Sequence, residues 1–528
     1  MKKTAYILTF LAGFMFLFSS CLSYLDTEPL DDNEVTAADI FKDPNAYQQI
    51  LAKIYAGLAI SGQQGPAGMP DISGIDEGFG QYLRGMWYHQ VLSTDEAVIG
   101  WDDQTIKDFV YQSWTATDVF IAAFYYRIFY QIALVNEYLR ETTDARLDER
   151  RVTGNLRTQV EGYRAEARFL RALSYYHALD VFGNVPFVTD QDPVGGFLPP
   201  QKMRADLFSY IETELLDIIP LMAQPRAANY YGRADRAAAW MLLAKLYLNA
   251  QVYMGQPRYT ECITYCNQII SAGYSLEPEF WHLFNADNFL STNEIIFRVP
   301  YHGINTQTYG GTNFIIHAQT GGAMVAADYG IDGGWGGIRT TKNIVNLYNV
   351  NDPRRLFFTT GQDIEINNLS DFTNGFASIK FTNIRRDGSI GTNLQFVDTD
   401  FPMFRLADVY LMYAEALLRG GTGGDLNTAL GYVNALRQRA WGSAAGNVST
   451  IDEDFILDER ARELFWEGHR RTDLIRYNRF AGNNTYVWPW KGNSKDGLQV
   501  NERFNLFPLP AADINANPNL DQNPGYVN

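Results

Sequence analysis

Two stretches far apart in the chain carry one pattern: "RADRAAAWMLLAKLYLNA" (233–250) and "FRLADVYLMYAEALLRGG" (404–421). Each places alanines at helical spacing and fills the remaining positions with aromatic, Leu and Met side chains. Each leads into a second helical pattern, "RYTECITYCNQIISAGY" (258–274) and "DLNTALGYVNALRQRA" (425–440). Small alanines let two helices cross closely, and bulky side chains fill the holes left over. That is the tetratricopeptide-type unit, with a period of about 34 residues. One such pair cannot bury its apolar face alone, so neighbouring pairs must stack. A long stretch of other sequence separates the copies, so a regular solenoid is excluded.

Other helical patterns extend the scaffold. "NAYQQILAKIYAGLAI" (45–60) sets Ile50, Ile54 and Leu58 on one face. "DVFIAAFYYRIFYQIALVNEYLRE" (118–141) is apolar along one side and opens on Asp118, an N-cap residue type. "EGYRAEARFLRALSYYHALDVFG" (161–183) ends on Gly183, as a helix C-terminus does. Between the helical blocks the composition changes to Gly, Asn, Asp and aromatic residues, with short strand-like runs such as "NEIIFRVPY" (293–301). The expected fold is mainly α: tetratricopeptide-like helical pairs form a scaffold at about 41–60, 118–275 and 402–480. Loop-rich, partly β insertions at about 61–117 and 276–400 carry the ligand site, because loops on a rigid frame are where binding residues concentrate.

The N-terminus reads as an export signal. Lys2 and Lys3 precede an apolar run, Ala5 to Phe18, too short to span a bilayer comfortably, and Ser19, Ser20 and Cys21 follow. Small residues before a cysteine resemble a bacterial lipoprotein signal, which makes Cys21 the expected lipid attachment point. Several acyl chains would anchor stably where one would not. The expected division is a signal peptide at 1–20, an acidic tether at 21–40 and a single domain at 41–528. No other run of 18 apolar residues is evident, so no other membrane span is expected.

The formal charge of -17 sets the chain against polyanions, and nucleic acid is an unsuitable partner. Cys262 and Cys266 are spaced i, i+4 and read as small apolar core residues; half of a metal site, with His282 the nearest histidine, is the alternative. No cofactor is implied, apart from a structural calcium that the many Asp and Asn loop residues would permit but do not place. There is no GxSxG, HExxH or P-loop, and the six histidines lack ligand spacing. Asp76–Glu77, Asp95–Glu96 and Asp102–Asp103 are carboxylate pairs. Adjacent carboxylates rarely face one substrate, so no catalysis is expected.

Two tryptophans stand out by their surroundings. Trp101 lies in "IGWDDQ" and Trp335 in "DGGWGGIRT", settings that favour a ring presented from a loop. A ring so presented can meet an apolar ligand face, while Arg, Gln and Asp can satisfy hydroxyls around it.

Four stretches together make the chain similar to the SusD/RagB family of surface glycan-binding lipoproteins of gut and oral Bacteroidetes. They are "AEARFLRALSYYHALDVFGNVPFVTD" (165–190), "FRLADVYLMYAEALLRGG" (404–421), "ILDERARELFWEGHRRTDLIRY" (456–477) and "LFPLPAADINANPNLDQNPGY" (506–526), with "NDPRR" (351–355) in support. These motifs read as structural. Arg164, Arg168 and Arg171 flank a core face, and Glu459, Arg460, Arg462 and Glu463 are expected to pair on a helix surface.

Within the family the resemblance is strongest to its starch-binding founding member, through 71–104, 230–253 and "INTQTYGGTNF" (304–314). It implies sugar contacts at Asp76, Arg84, Trp101 and Gln104, with further rings at Tyr309 and Trp335. Phe314 competes with Tyr309 for that place, Gln104 replaces an asparagine, and Ile99 stands where a second tryptophan is expected. The function implied is non-catalytic binding of starch or malto-oligosaccharides on the exterior of the outer membrane. Delivery would be to a TonB-dependent transporter of the SusC type. A tetratricopeptide scaffold binding another glycan or peptides and a lipid-anchored glycosidase are the competing readings.

Overall fold

The structure is a computed structural model describing residues 37–66 and 68–527, so the signal run, Cys21 and most of the acidic tether lie outside the described residues. The chain divides into two units, Met1–Tyr47 and Gln48–Asn528. Within the described part of the first, a helical turn at Ala37–Ile40 is followed by Phe41, whose ring packs on Tyr47 at 4.9 Å.

Twelve helices serve the description. They are α1 (Ala46–Ala56), α2 (Tyr82–Trp87), α3 (Val119–Glu141), α4 (Gly154–Val181), α5 (Arg204–Ile218) and α6 (Arg236–Leu248). Then come α7 (Tyr259–Ser271), α8 (Gly311–Gln319), α9 (Leu406–Leu418), α10 (Leu426–Trp441), α11 (Glu453–Glu463) and α12 (Arg470–Arg476). Asp118 caps α3 by accepting from the Phe120 and Ile121 N–H groups at 2.9 and 3.0 Å. Gly183, in the left-handed region at φ 75°, returns its N–H to Ala178 O and stops α4.

The pairs stack as their composition demands. α3 packs on α4, α4 on α5, α6 on α7, and α9 on α10. The two copies of the repeat are neighbours in space, because α7 packs directly on α9. Ala237, Ala238, Ala239 and Ala244 of α6 are fully buried, as are Ala407, Ala414 and Ala416 of α9, and they allow the close crossings. Cys262 and Cys266 are free thiols in the α7 core face, and burial holds the Cys266 thiol well above its usual pKa. Among the described residues no cluster of His, Cys, Asp or Glu is arranged to hold a metal ion.

The sequence between α7 and α9 is closed off at its base by two strands. Four of the short strands serve the description, β1 (Val98–Ile99), β2 (Ile295–Val299), β3 (Ile338–Arg339) and β4 (Phe401–Arg405), and β2 pairs antiparallel with β4. Residues 300–400 therefore leave and re-enter the scaffold at one place. β1 pairs antiparallel with β3, Val98 opposite Arg339 and Ile99 opposite Ile338. This ribbon joins the two insertions to each other.

By length and composition α3 is a helix that would suit a membrane, but 61% of its apolar window is buried, and it serves as a scaffold helix, as the sequence predicts. Its buried Arg127 binds Gly80 O, Asp71 and Ser61 O, a polar commitment that lipid would not satisfy.

Glu459, Arg460, Arg462 and Glu463 are not on a helix surface. All four are buried. Arg354 joins Glu459 at 2.8 Å, Glu463 at 3.0 Å and Asp352 at 2.9 Å. Arg405 joins Glu463 at 2.7 Å, Glu467 at 2.6 Å and Glu294 at 2.9 Å. Arg460 bridges Asp408 and Asp473, each at 2.8 Å. Burial by itself would raise the Glu459 carboxyl, but Arg354, Arg462 and Arg437 outweigh it and hold the pKa at about 2. A buried charge is tolerated only when paired, and each of these carboxylates has cationic partners.

Candidate functional site

The insertions meet in an open depression of about 960 Å³. Asp76, Arg84 and Trp101 reach it from the first insertion, and Tyr309 and Trp335 from the second. The β1–β3 ribbon is what brings Trp101 beside Trp335. Two residues past β1 the chain reaches Trp101, and three residues before β3 it holds Trp335.

Trp101 donates its indole N–H to the Trp335 carbonyl at 3.2 Å. The two rings lie 6.4 Å apart with planes inclined at 45°. Gly337 makes this approach feasible, since a Cβ there would stand 2.4 Å from Trp101 Cε2. Trp335 sits on irregular backbone between glycine pairs, as its surroundings predict, and is half-buried. Its N–H donates to His317 O at 2.7 Å, and its ring stacks on the His317 imidazole at 4.8 Å and 20°. Tyr309, also half-buried, is 6.1 Å from Trp335 at an interplanar angle of 64°.

Phe314 is not an alternative to Tyr309. It lies on α8, fully buried, edge-on to Trp87 and Tyr88. The Arg84 guanidinium rests on its ring at 4.5 Å, so Phe314 forms the floor beneath the arginine. Arg84 donates to Tyr88 OH at 2.6 Å and to Tyr309 O at 2.9 Å, and lies 5.8 Å from the Trp101 ring centre. These contacts fix the side chain, and among the described residues no carboxylate forms an ion pair with it, so its cationic face remains available in the depression. The helix carrying it winds into a π-type turn at Tyr88–Leu92, a form found often near functional sites.

Asp76 is exposed and uses Oδ1 to accept from Gly78 N at 2.8 Å and Phe79 N at 3.1 Å, which presets its loop. Ile99 is completely buried within the ribbon and adds nothing to the aromatic surface. Gln104 is not among the residues that line the depression. It is exposed, in the left-handed region at φ 43°, one residue beyond Asp103, which does line it.

The depression also takes in Glu77 and Asp103, known from the sequence only as members of carboxylate pairs. Gln395 is a further residue that no motif marks; its amide donates to Tyr309 OH at 3.4 Å. Nothing in its local sequence singles it out, because its place depends on how a distant loop folds back. Asp95 and Glu96 are buried and structural: Arg470 holds Asp95 at 2.7 Å, and the Trp466 N–H donates to Glu96 at 3.1 Å.

A second cavity of about 890 Å³ lies between α1, the Tyr231–Arg233 segment and β2. Its arginines are already committed, Arg233 to Glu166 and Arg298 to Asp400. It offers apolar walls and few free donors, whereas the depression combines rings with Arg84 and the carboxylates of Asp76, Glu77 and Asp103. That combination suits a ligand with apolar faces and a polar rim.

Stacked helix pairs with a ring-lined site on the loops between them define a tetratricopeptide-type binding scaffold. The chain belongs to the SusD family. A family model described as "SusD family" matches residues 362–526, and one described as "Starch-binding associating with outer membrane" matches residues 24–248. The chain is 33% identical to the starch-binding protein SusD of Bacteroides thetaiotaomicron over 96% of each protein. It is 26% identical to SusD-like protein P2 of Formosa agariphila over 70% of this chain and 75% of that protein. Among solved structures, a SusD superfamily protein from Parabacteroides distasonis superposes with a TM-score of 0.70 at 22% identity, over 93% of this chain and 100% of that one. Surface glycan-binding protein A of Bacteroides thetaiotaomicron, solved with laminarihexaose, gives 0.67 at 20% identity over 90% and 98%. At those identities the two structures establish the fold.

Proposed function

We propose that the protein is a non-catalytic binder of starch-type α-glucans, displayed on the outer membrane through lipid on Cys21. It would hand malto-oligosaccharides to a TonB-dependent transporter of the SusC type. Trp101, Trp335 and Tyr309 would stack on successive sugar faces, Arg84 and Asp76 would meet hydroxyls, and Gln104, outside the depression, would meet a chain that extends past Asp103.

The observation that carries this reading is the set of inclined ring planes, 45° between Trp101 and Trp335 and 64° between Trp335 and Tyr309. A row of coplanar rings would suit a straight β-1,4 chain. Inclined rings suit a backbone that turns from one residue to the next, as an α-1,4-glucan does. The printed name of the 33%-identical relative, a starch-binding protein, points the same way, and the matched model's "associating with outer membrane" supports the location. Asp76, Glu77 and Asp103 line the depression, but hydroxyl binding accounts for them without a general acid.

The test is calorimetry with maltoheptaose. Trp101→Ala and Trp335→Ala should each weaken binding by ~1–3 kcal/mol, in the range of aromatic hot spots. Unchanged affinity in both variants would refute the site. Release of shorter sugars by the purified protein, abolished by Glu77→Gln or Asp103→Asn, would refute the non-catalytic reading.

A further inference from the structure

We propose that His317 is the positioning residue that sets the angle between the Trp335 and Tyr309 rings, and thereby the backbone curvature the site accepts. The inference rests on the glycan-binding reading of the depression and assigns a specificity role to a residue beneath it.

The loop that presents Trp335 takes its course from outside itself: the N–H groups of Trp335, Gly336 and Gly337 donate to His317 O, Thr320 O and Ala318 O at 2.7, 2.8 and 2.8 Å. Gly333, Gly334, Gly336 and Gly337 surround the tryptophan, and glycines impose little of their own on the chain direction. A ring at the centre of such a loop keeps one orientation only if something outside the loop holds it. His317 supplies that hold in three ways. Its imidazole stacks on the indole at 4.8 Å and 20°. Its backbone carbonyl accepts the Trp335 N–H at 2.7 Å. Its Nδ1 lies 2.7 Å from the Gly333 carbonyl oxygen, two residues before the ring.

The other edge of the imidazole reaches the opposite loop. Nε2 lies 3.1 Å from the Gln395 carbonyl oxygen, and the Gln395 side chain donates to Tyr309 OH at 3.4 Å. One buried side chain on α8 therefore touches both segments that set the two rings. A neutral imidazole donates to one of the two carbonyls, and the imidazolium donates to both. His317 is itself buried, so it meets no ligand directly and acts through Trp335 and Gln395.

A stacked aromatic pair contributes ~0.5–1.5 kcal/mol, so losing it corresponds to roughly two- to tenfold in affinity. The effect should fall on curved chains more than on straight ones.

The experiment measures maltoheptaose and cellohexaose binding to the full-length protein and to His317→Ala, His317→Phe and His317→Gln. Near-UV circular dichroism of each is compared with that of Trp335→Phe. His317→Ala should lose roughly two- to tenfold for maltoheptaose with little change for cellohexaose, and should lose the spectral band that Trp335→Phe removes. His317→Phe keeps a stacking ring and His317→Gln keeps a donor, so each should recover part of the affinity and of the band. These two variants carry the test if His317→Ala does not fold.

Wild-type affinity and an unchanged band in all three variants would overturn the proposal while leaving the glycan reading intact. A fall in melting temperature alone, with affinity and band unmoved, would reduce His317 to a packing residue and overturn it equally. If the wild-type protein binds neither sugar, the glycan reading fails and the specificity role falls with it.

Discussion

The Gly337 backbone lies directly against the Trp101 indole, and adding one methyl group there tests the geometry of the site directly. An alanine Cβ at 337 would stand 2.4 Å from Trp101 Cε2, 2.5 Å from Cζ2 and 2.8 Å from Nε1. Ordinary carbon contacts lie at about 3.5–4.0 Å, so the indole must retreat by roughly 1–1.5 Å. The ring cannot sink, because Phe314 lies 6.1 Å away beneath it and is already in the core. It must swing outward, breaking the 3.2 Å hydrogen bond to Trp335 O and changing the 45° angle between the two indoles. Overpacking of this size costs ~1–3 kcal/mol of stability, and misplacing one stacking ring should cost ~1–2 kcal/mol of binding. Gly337→Ala is therefore expected to remain folded by circular dichroism, melt at a lower temperature and bind maltoheptaose roughly 5–30-fold more weakly. The assays are calorimetry and a thermal melt. Wild-type affinity in a folded Gly337→Ala protein would show that Trp101 does not touch the ligand, and the ring geometry would no longer support an α-glucan site.

Other outcomes follow from the same contacts. Asp76, Glu77 and Asp103 set three carboxylates against one guanidinium in the depression, so a malto-oligosaccharide oxidised to C6 carboxylates should bind at least several-fold more weakly than the neutral sugar, and Glu77→Gln/Asp103→Asn should narrow the gap at low salt. Arg354→Ala takes one of several cations from Glu459 and Glu463 and leaves buried Asp352 without its 2.9 Å ion pair, which should cost ~3–5 kcal/mol in urea unfolding, without any direct effect on the depression. Burial works against the charge on Glu459 and Glu415, but Arg354 and Arg476 prevail and hold both pKa values at about 2, below the ordinary 4.5. Their stabilisation is thus complete above pH 4.5 and lost as pH falls toward 2; a urea midpoint that fell between pH 7 and 5 for their sake would contradict this sign. Cys21→Ala should release a folded, glycan-binding protein from the membrane fraction when the transporter is absent.

The helical frame is legible because its determinants are local. Alanines at crossings, Asp118 before an apolar run and Gly183 after one are each written within a few residues, and the elements formed where those signals stand. The ion network was not legible as such. A run such as "DERARE" reads as a solvated helix face, because charge patterns are normally surface patterns. Its partners Arg354, Arg405 and Arg439 lie on other segments, 24 to 109 residues away in sequence from Glu463. Only when those segments pack does a surface pattern become a buried one.

The site divides along the same line. Trp101 and Trp335 announce themselves by their neighbours, and the resemblance supplied Asp76, Arg84 and Tyr309, all of which reach one depression. Gln395 and His317 announce nothing, because a histidine on an apolar helix face has a default reading as core. What gives His317 its role is the coincidence of two segments around one ring, Gly333–Trp335 and Gln395, and a ribbon of two residues per strand then ties the Trp335 loop to Trp101. Val98 opposite Arg339 sets how far Trp101 stands from Trp335, and the burial of Ile99 in that ribbon removes it from the platform. A tryptophan at 99 would face the same enclosed position. A larger aromatic platform in a relative would therefore require a different ribbon register, and not merely a different side chain, since a one-residue slip moves every side chain to the opposite face.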